Sequence, residues 1–317
     1  MKKNLTKKLM LSVLTLAFAV VSLGASTFAW FTTSETADVE TIKTEVIGGS
    51  GIEIGVAEIG ATAPAAYYVN QLKSDKISAL FGGELPVLQH ISALKTGAET
   101  VFGEKLYDID GDEVELKYDN TELGYIAFKL FVKVNAAGYV TLDTVNVTST
   151  KTTNWNAGVA YTNGLGTPVA ATASEVFSVT NAVRVAVVAN YNTYAEVDGV
   201  LTPTGKKEIN VYEQAAATGT TGNSKGFSKN GAYEIYNAKQ NVADEKLTIL
   251  NSATPNWNCK TLAETLATAD AIKAQVQRDE VITFDVYMWI EGYDAECVNA
   301  IFAHDVNLVL GFAWSAN

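Results

Sequence analysis

The sequence predicts an all-β fold, a jelly-roll-like β-sandwich with one or two accessory helices. Apolar β-branched and aromatic residues alternate with polar residues over long stretches, which is typical of strands with one buried face. The three strongest stretches lie at residues 124–147, 176–191 and 280–290. Hydrophobic residues make up 48% of the chain and charged residues 18%, so the chain can bury a sizeable core.

Residues 1–29 have the composition of a secretory signal peptide. Four lysines precede an apolar run at residues 9–23, and small residues lead to Ala29. A basic start, an apolar middle and a small-residue exit are the three parts of such a peptide. We expect signal peptidase to cleave after Ala29, so that Trp30 begins a protein that is secreted, extracellular or attached to the cell surface. The alternative is a retained membrane anchor, because the run approaches the roughly 20 residues that span a bilayer if it is extended to residue 31.

The mature protein is strongly acidic. Removal of residues 1–29 takes away four lysines and no acidic residue, so the formal net charge moves from −12 to −16. A surface of this charge repels polyanions. The charge therefore argues against nucleic acids and anionic membrane surfaces as partners, and any membrane contact is expected only through an uncleaved signal segment.

Residues 30–47 are predicted to form an extended N-terminal arm ahead of a β-sandwich domain at residues 48–317. The apolar positions of the arm are Val39, Ile42 and Val46, and a glycine-rich turn follows them at residues 48–51. Period-two patterning then resumes at residues 52–56, as expected of a first core strand. The arm is therefore the candidate for pairing with another chain.

Two motifs near the N-terminus resemble those of a known family. One reads Gly-Ala-Ser-Thr-Phe-Ala-Trp-Phe-Thr over residues 24–32, and the other reads Gly-Ile-Glu-Ile over residues 51–54. Together they resemble the start of the TasA/camelysin family of secreted Gram-positive proteins. The resemblance implies a jelly-roll β-sandwich at the cell surface and, as in several family members, assembly into matrix fibres by N-terminal strand donation.

Two acidic segments are candidate calcium sites, because clustered carboxylates supply the hard oxygen ligands that calcium prefers. The first segment contains Asp108, Asp110 and Asp112. Its alternative is a plain β-hairpin with residues 110–111 in the turn, since the glycine is not at the EF-hand position. The second segment is a loop with Glu291, Asp294 and Glu296, for which solvated acids are the alternative. No other cofactor is expected.

Helical spacing is found in two places. Residues 61–83 have apolar side chains near helical spacing, which predicts a short helix. Residues 260–277 have apolar residues three and four positions apart and no glycine or proline, which predicts an amphipathic accessory helix. Between these segments, residues 202–228 are rich in glycine, threonine, serine and asparagine, and we expect a long surface loop or flexible excursion there.

Cysteine and histidine are scarce. Cys259 and Cys297 are the two cysteines, and in an exported chain they are candidates for a disulfide, with two free thiols as the alternative. His90 and His304 are the two histidines, and no His-Glu-x-x-His motif is present. A catalytic zinc site needs three protein ligands. Since the nucleophile-elbow, phosphate-loop and dinucleotide motifs are also missing, we predict that the protein is not an enzyme.

Three functions are compared. The first is a structural subunit of a cell-surface or biofilm-matrix fibre, whose partners are further copies of itself or related matrix proteins. The second is a surface adhesin or carbohydrate-binding module, which predicts an open aromatic platform built from Trp155, Tyr161, Tyr191 and Tyr194. The third and weakest is a camelysin-like metalloprotease, which only the family resemblance suggests.

Overall fold

The structure is a computed structural model and describes residues 42–49, 51–64, 67–88, 90–94, 101–108, 111–118, 124–214, 230–240, 259–301 and 304–316. All of these residues belong to one compact unit, Asp38–Asn317. The chain is mostly β-strand. The strands are β1 Ile42–Gly48, β2 Ile52–Ala57, β3 Gln71–Leu72, β4 His90–Ile91, β5 Ile126–Val134, β6 Gly138–Thr148, β7 Thr153–Trp155, β8 Tyr161–Thr162, β9 Pro168–Val169, β10 Glu175–Phe177, β11 Val183–Val197, β12 Val200–Glu213, β13 Lys260–Thr261, β14 Ile272–Val276, β15 Val281–Glu291 and β16 Val306–Ser315.

Two large sheets form the body of the molecule. Sheet A has five strands in the order β14-β6-β16-β1-β3. Sheet B has seven strands, six of them in the order β13-β12-β11-β15-β5-β2, and β4 pairs with the far end of β15. The short pairs β7–β10 and β8–β9 form two further ladders. The order mixes neighbours in sequence with distant ones, so most of the pairing is long-range.

The core lies between the two sheets. Phe284 of β15 and Phe312 of β16 are both buried, and their ring centroids are 4.9 Å apart. Strand β14 of sheet A also contacts β11 of sheet B. Along β6 and β16 the burial alternates residue by residue, as expected of strands with one face on the core. The predicted all-β sandwich with accessory helices is therefore confirmed.

The helices are short. They are α1 Ser74–Ser78, α2 Val179–Ala182 and α3 Ala232–Gln240, with 3-10 turns at Ala79–Phe81 and Asn299–Ile301. The short helix predicted within residues 61–83 is confirmed by α1, which buries Ile77 in the core.

The helix predicted at residues 260–277 is wrong. Residues 260–261 form β13 beside β12, and residues 272–276 form β14 beside β6. Leu262 and Leu266 are buried as the helix prediction required, but they lie in extended or loop backbone. Their amides donate to the carbonyl oxygens of Glu213 and Asp143, which are distant in sequence. Within β14 the buried positions alternate at period two, and the leucines before it produced the apparent helical spacing.

The predicted excursion at residues 202–228 is wrong over residues 202–213, and residues 215–229 lie outside the described part. Strand β12 pairs with β11 from Val185↔Tyr212 to Val197↔Val200. The two turn residues, Asp198 and Gly199, have φ of 53° and 77°, as a tight type I′ hairpin turn requires. The outer half of the hairpin is exposed on both faces, so its polar composition reflects a solvated ribbon whose order comes from backbone hydrogen bonds.

Candidate functional site

Strand β1 begins within the predicted arm, at Ile42, and is the first described element of the chain. It pairs in parallel with the last strand over its whole length, from Ile42↔Val306 to Gly48↔Phe312. On its other side it pairs with β3, but only through Val46 and Ile47. The N-terminal strand therefore occupies a slot in sheet A between β16 and β3.

The start of β1 is weakly held on its outer side. On the side of β1 that faces away from β16, the structure describes no strand beside residues 42–45. On that side the Thr44 amide donates to the Ser74 hydroxyl at 3.5 Å. Thr44 is fully buried, and its own hydroxyl has no hydrogen-bond partner. A buried hydroxyl without a partner costs free energy relative to an apolar side chain of the same shape. The buried Thr44 hydroxyl is therefore a local cost of placing β1 in this slot.

Glycines connect β1 to sheet B. The Gly48 and Gly49 amides donate to the carbonyl oxygens of Asn70 and Phe312, both at 2.8 Å. Gly51 has a φ of 82°, where other residues are strained. Strand β2, which starts at Ile52, then pairs with β5 in the other sheet. This turn is the hinge about which β1 would have to move to leave its slot.

Of the extended arm predicted at residues 30–47, the structure describes only residues 42–47, which form most of β1. Ile42 and Val46 lie in β1, and Val46 is completely buried in the core of the same chain. Val39 and the predicted cleavage site at Ala29 and Trp30 lie outside the described residues. Period-two patterning identified the strand, but it does not tell which chain supplies the sheet.

A second concentration of unusual chemistry is the buried Arg184 cluster, formed by Arg184, Glu213, Glu291 and Asp294. Arg184 of β11 is inaccessible to solvent and forms ion pairs with Asp294 Oδ2 at 2.6 Å and Glu213 Oε2 at 3.0 Å. Glu291, at the end of β15, accepts hydrogen bonds from Trp289 Nε1 at 3.0 Å and from the Tyr293 amide at 3.2 Å. The cluster ties the loop after β15 to the outer face of sheet B.

The protonation of the cluster follows from burial. Desolvation raises the pKa of Glu291 to about 7, although the hydrogen bond from Trp289 and the charge of Arg184 act in the opposite direction. Burial alone would lower the pKa of Arg184, but the charges of Glu213 and Asp294 raise it, so the guanidinium stays protonated. The carboxylates point at internal partners, which makes the cluster a clamp between sheet and loop.

The second candidate calcium site coincides in part with this clamp. Asp294 is committed to Arg184, Glu291 to Trp289, and the Glu296 amide donates to Asp294 Oδ1 at 2.8 Å. In the first candidate site, Asp108 Oδ1 accepts the Asp112 amide at 2.9 Å, and Asp110 lies outside the described residues. Across the described segments no group of three such side chains is placed to hold a metal ion. Calcium binding stays a prediction without support from the geometry.

The candidate disulfide is not formed, since Cys259 and Cys297 are not bonded to each other. Cys297 is buried next to the Arg184 cluster, and its amide donates to the Asp294 carbonyl oxygen at 3.0 Å. Burial raises the pKa of its thiol well above the usual range, which keeps it protonated.

The four aromatic residues predicted to form an open platform do not form one exposed surface. Tyr161 and Tyr191 are buried, and their hydroxyls donate to Glu175 and Glu208. Trp155 packs edge-on against Phe177. An open cleft of about 440 Å³ does lie beside the β11–β12 ribbon, and it is lined by Asn190, Tyr191, Asn192, Gly205, Lys206, Lys207, Glu280 and Val281. The Lys206 ammonium lies 5.2 Å from the centroid of the Tyr191 ring and covers it.

The two histidines have different surroundings. Burial lowers the pKa of His90 to about 3. His304 accepts the Val179 amide at Nδ1, 3.3 Å away, and its Nε2 lies 2.8 Å from the Thr153 hydroxyl. His304 therefore joins α2 and β7 to the start of β16 as a neutral ring.

Comparison with known proteins leaves the family open. No protein-family model matches the chain, and no curated protein and no solved structure is significantly similar to it. The TasA/camelysin assignment thus remains a resemblance carried by residues 24–54. In the part of the chain that the structure describes, none of the helices has the length and apolar character needed to cross a bilayer.

Arg184 and Glu213 were missed by the sequence reasoning, although a signal existed. Arg184 is the one charged residue in an otherwise apolar run at residues 182–189. A lone arginine in a run that must be buried requires an anionic partner. The identity of that partner depended on the long-range pairing of β11, β12 and β15.

Proposed function

We propose that this protein is a secreted structural protein, a subunit of a cell-surface or biofilm-matrix fibre assembled by N-terminal strand donation. The observation that carries the proposal is the position of β1. The strand formed by the end of the predicted arm is held in parallel beside the last strand, and on its other side it pairs with β3 only through Val46 and Ile47. The N-terminal resemblance to the TasA/camelysin family supports the same function.

In this proposal the donated segment comprises residues 30–46, and donation is an exchange. β1 of one subunit turns about the glycine-rich segment at residues 48–51 and enters the slot of a neighbouring subunit. There it makes the same contacts that it makes within its own chain. Because the same contacts form in both states, the exchange costs little free energy, and concentration drives it. Each subunit donates at one place and accepts at another, so the contact is heterologous and extends into a filament.

The proposal predicts that a chain beginning at residue 48 cannot assemble by itself. With its slot empty, this variant should be a destabilised monomer that binds a synthetic peptide of residues 30–47 and regains stability. Electron microscopy of the mature and shortened chains, together with thermal unfolding with and without peptide, measures both effects. The matched control is the same peptide with Val46→Asp, which places a charge where Val46 is buried and should not bind. Fibres formed by the chain from residue 48 alone would contradict the proposal.

The other two functions remain weaker proposals. An adhesin or carbohydrate-binding module would use the cleft beside the β11–β12 ribbon, whose lining includes asparagine, lysine and glutamate side chains. Binding to a glycan array by monomeric protein that never forms fibres would favour it over the fibre subunit. Zinc in purified protein together with casein hydrolysis would favour a metalloprotease.

A further inference from the structure

A lysine and an aspartate face each other on two neighbouring strands of sheet B. Lys129 of β5 and Asp285 of β15 are directly opposite in the antiparallel ladder, and both point to the outer face of the sheet. Lys129 Nζ lies 3.6 Å from Asp285 Oδ1. Directly opposite residues have Cβ atoms about 4.5–5.5 Å apart, so the two side chains can meet without any movement of the backbone.

The pair is withdrawn from water. The side chains of Lys129 and Asp285 are 16% and 10% exposed, and Asp285 Oδ1 has no hydrogen-bond partner. Burial raises the pKa of the Tyr118 and Tyr287 hydroxyls, and the charge of the nearby Asp285 raises it further. The Asp285 oxygen that faces the Lys129 ammonium is therefore buried and lies just beyond hydrogen-bond distance of it.

A second acidic group, Glu104, acts on the pair through its charge. Glu104 has a φ of 60°, an uncommon conformation for a residue with a side chain, and its carboxylate is ion-paired with Lys207 of β12. Desolvation raises the pKa of Asp285 first of all, and the charge of Glu104 raises it further, against the opposing effect of Lys129. Burial and the charge of Glu104 both act toward the neutral carboxyl, which is the form that an amine can attack.

We propose that Lys129 and Asp285 form an intramolecular amide bond, with Glu104 as the residue that moves the proton. The neutral amine of Lys129 attacks Cγ of the protonated Asp285 carboxyl. Glu104 takes a proton from the nitrogen and delivers it to the departing hydroxyl, which leaves as water. One C–N bond forms, one C–O bond breaks, and no oxidant, nucleotide or cofactor is consumed. Fixed positions of the two groups and exclusion of water favour condensation over its reverse.

The bond would join β5 to β15 through their side chains. These strands lie next to each other inside sheet B, so the cross-link would keep them together even if the backbone hydrogen bonds between them opened. The inference rests on this site alone and does not depend on fibre formation.

Mass spectrometry of the full chain tests the inference. Denatured wild-type protein should be lighter than its sequence by one water molecule, and a tryptic digest should contain a branched peptide that joins the segments around residues 129 and 285. The reference is Lys129→Arg, which cannot form the bond. The variant should be heavier than wild type by the calculated lysine-to-arginine difference plus the mass of one water molecule. This comparison holds whichever residue begins the mature chain.

Two further variants separate the bond from a simple ion pair. Asp285→Asn should give the same branched product with loss of ammonia instead of water. Glu104→Gln should stay folded, as judged by circular dichroism, and remain unlinked. A wild-type mass equal to that of the intact sequence, with free Lys129 and Asp285 in the digest, would overturn the inference even if every variant folded.

Discussion

At the scale of single residues, burial decides the chemistry of this protein more than residue type does. The chain is strongly acidic, yet Glu213, Glu291 and Asp294 surround one arginine out of contact with solvent. Removing one partner of such a group is strongly destabilising, typically by about 3–5 kcal/mol, because the remaining charge stays buried. The sequence offered Glu291, Asp294 and Glu296 as a candidate calcium site or as solvated acids, whereas the structure buries Glu291 and pairs Asp294 with Arg184.

Glu291 should make the stability of the protein depend on pH. Its pKa is 4.5 in an ordinary environment and about 7 in the folded protein. Between these values the unfolded chain has released the proton and the folded chain retains it, so the contribution of Glu291 to stability is fully present below pH 4.5 and is lost as the pH rises to about 7. From a pKa difference of this size the loss is on the order of 3 kcal/mol.

The variant Glu291→Gln tests this reasoning, because an amide does not titrate. We expect the variant to be less stable than wild type at low pH, where it loses one acceptor of the hydrogen bonds from Trp289 and Tyr293, and to gain on wild type as the pH rises through the window. Urea unfolding at several pH values measures the difference, with Glu84→Gln at an exposed site as the control. Parallel pH profiles for wild type and Glu291→Gln would contradict the assignment.

At the scale of elements, local pattern predicted strands well and failed where two patterns overlap. The long alternating segments became β5, β6, β11, β15 and β16, since alternation reflects one buried face. Within residues 260–277, two buried leucines of a loop precede the alternating strand β14. The spacing of the leucines together with the buried residues of β14 resembles that of a helix. At residues 200–213 both faces of much of the strand are solvated, so no alternation exists to find.

Strand β1 has a specific weakness that can be tested. Thr44→Val replaces a buried hydroxyl without a hydrogen-bond partner by a methyl group of the same size. We expect this change to stabilise the monomer by about 1 kcal/mol, because a desolvation cost is removed. If β1 must leave its slot before assembly, the variant should also form fibres more slowly.

Chemical denaturation and the time course of fibre growth measure the two effects. Thr202→Val, at an exposed position of β12, is the matched control and should change neither. A Thr44→Val variant that is more stable but assembles at the wild-type rate would mean that β1 does not leave its slot.

At the scale of the whole molecule, the decisive feature is that the first described strand lies parallel to the last one. The sequence predicted the sandwich from strand patterns, but the order of strands in a sheet depends on contacts between distant segments. Local periodicity carries no record of those contacts, so neither the partner of β1 nor the Lys129–Asp285 and Arg184–Asp294 pairs could be read from it.

A cysteine pair across β1 and β16 tests the exchange most directly. Lys43 and Asn307 are register partners on adjacent strands, and neighbouring strands about 4.8 Å apart are within the range that a disulfide spans. Lys43→Cys and Asn307→Cys are combined in a chain whose own cysteines are replaced by Cys259→Ser and Cys297→Ala. The chain is oxidised before or after assembly and then run on a denaturing gel without reductant.

Oxidation of monomers should give a single monomer band, since both cysteines lie in one chain. If each subunit in the fibre receives β1 from its neighbour, oxidation after assembly should give a ladder of covalently linked subunits that collapses to monomer when reductant is added. Fibres that dissolve into cross-linked monomers alone would contradict strand exchange.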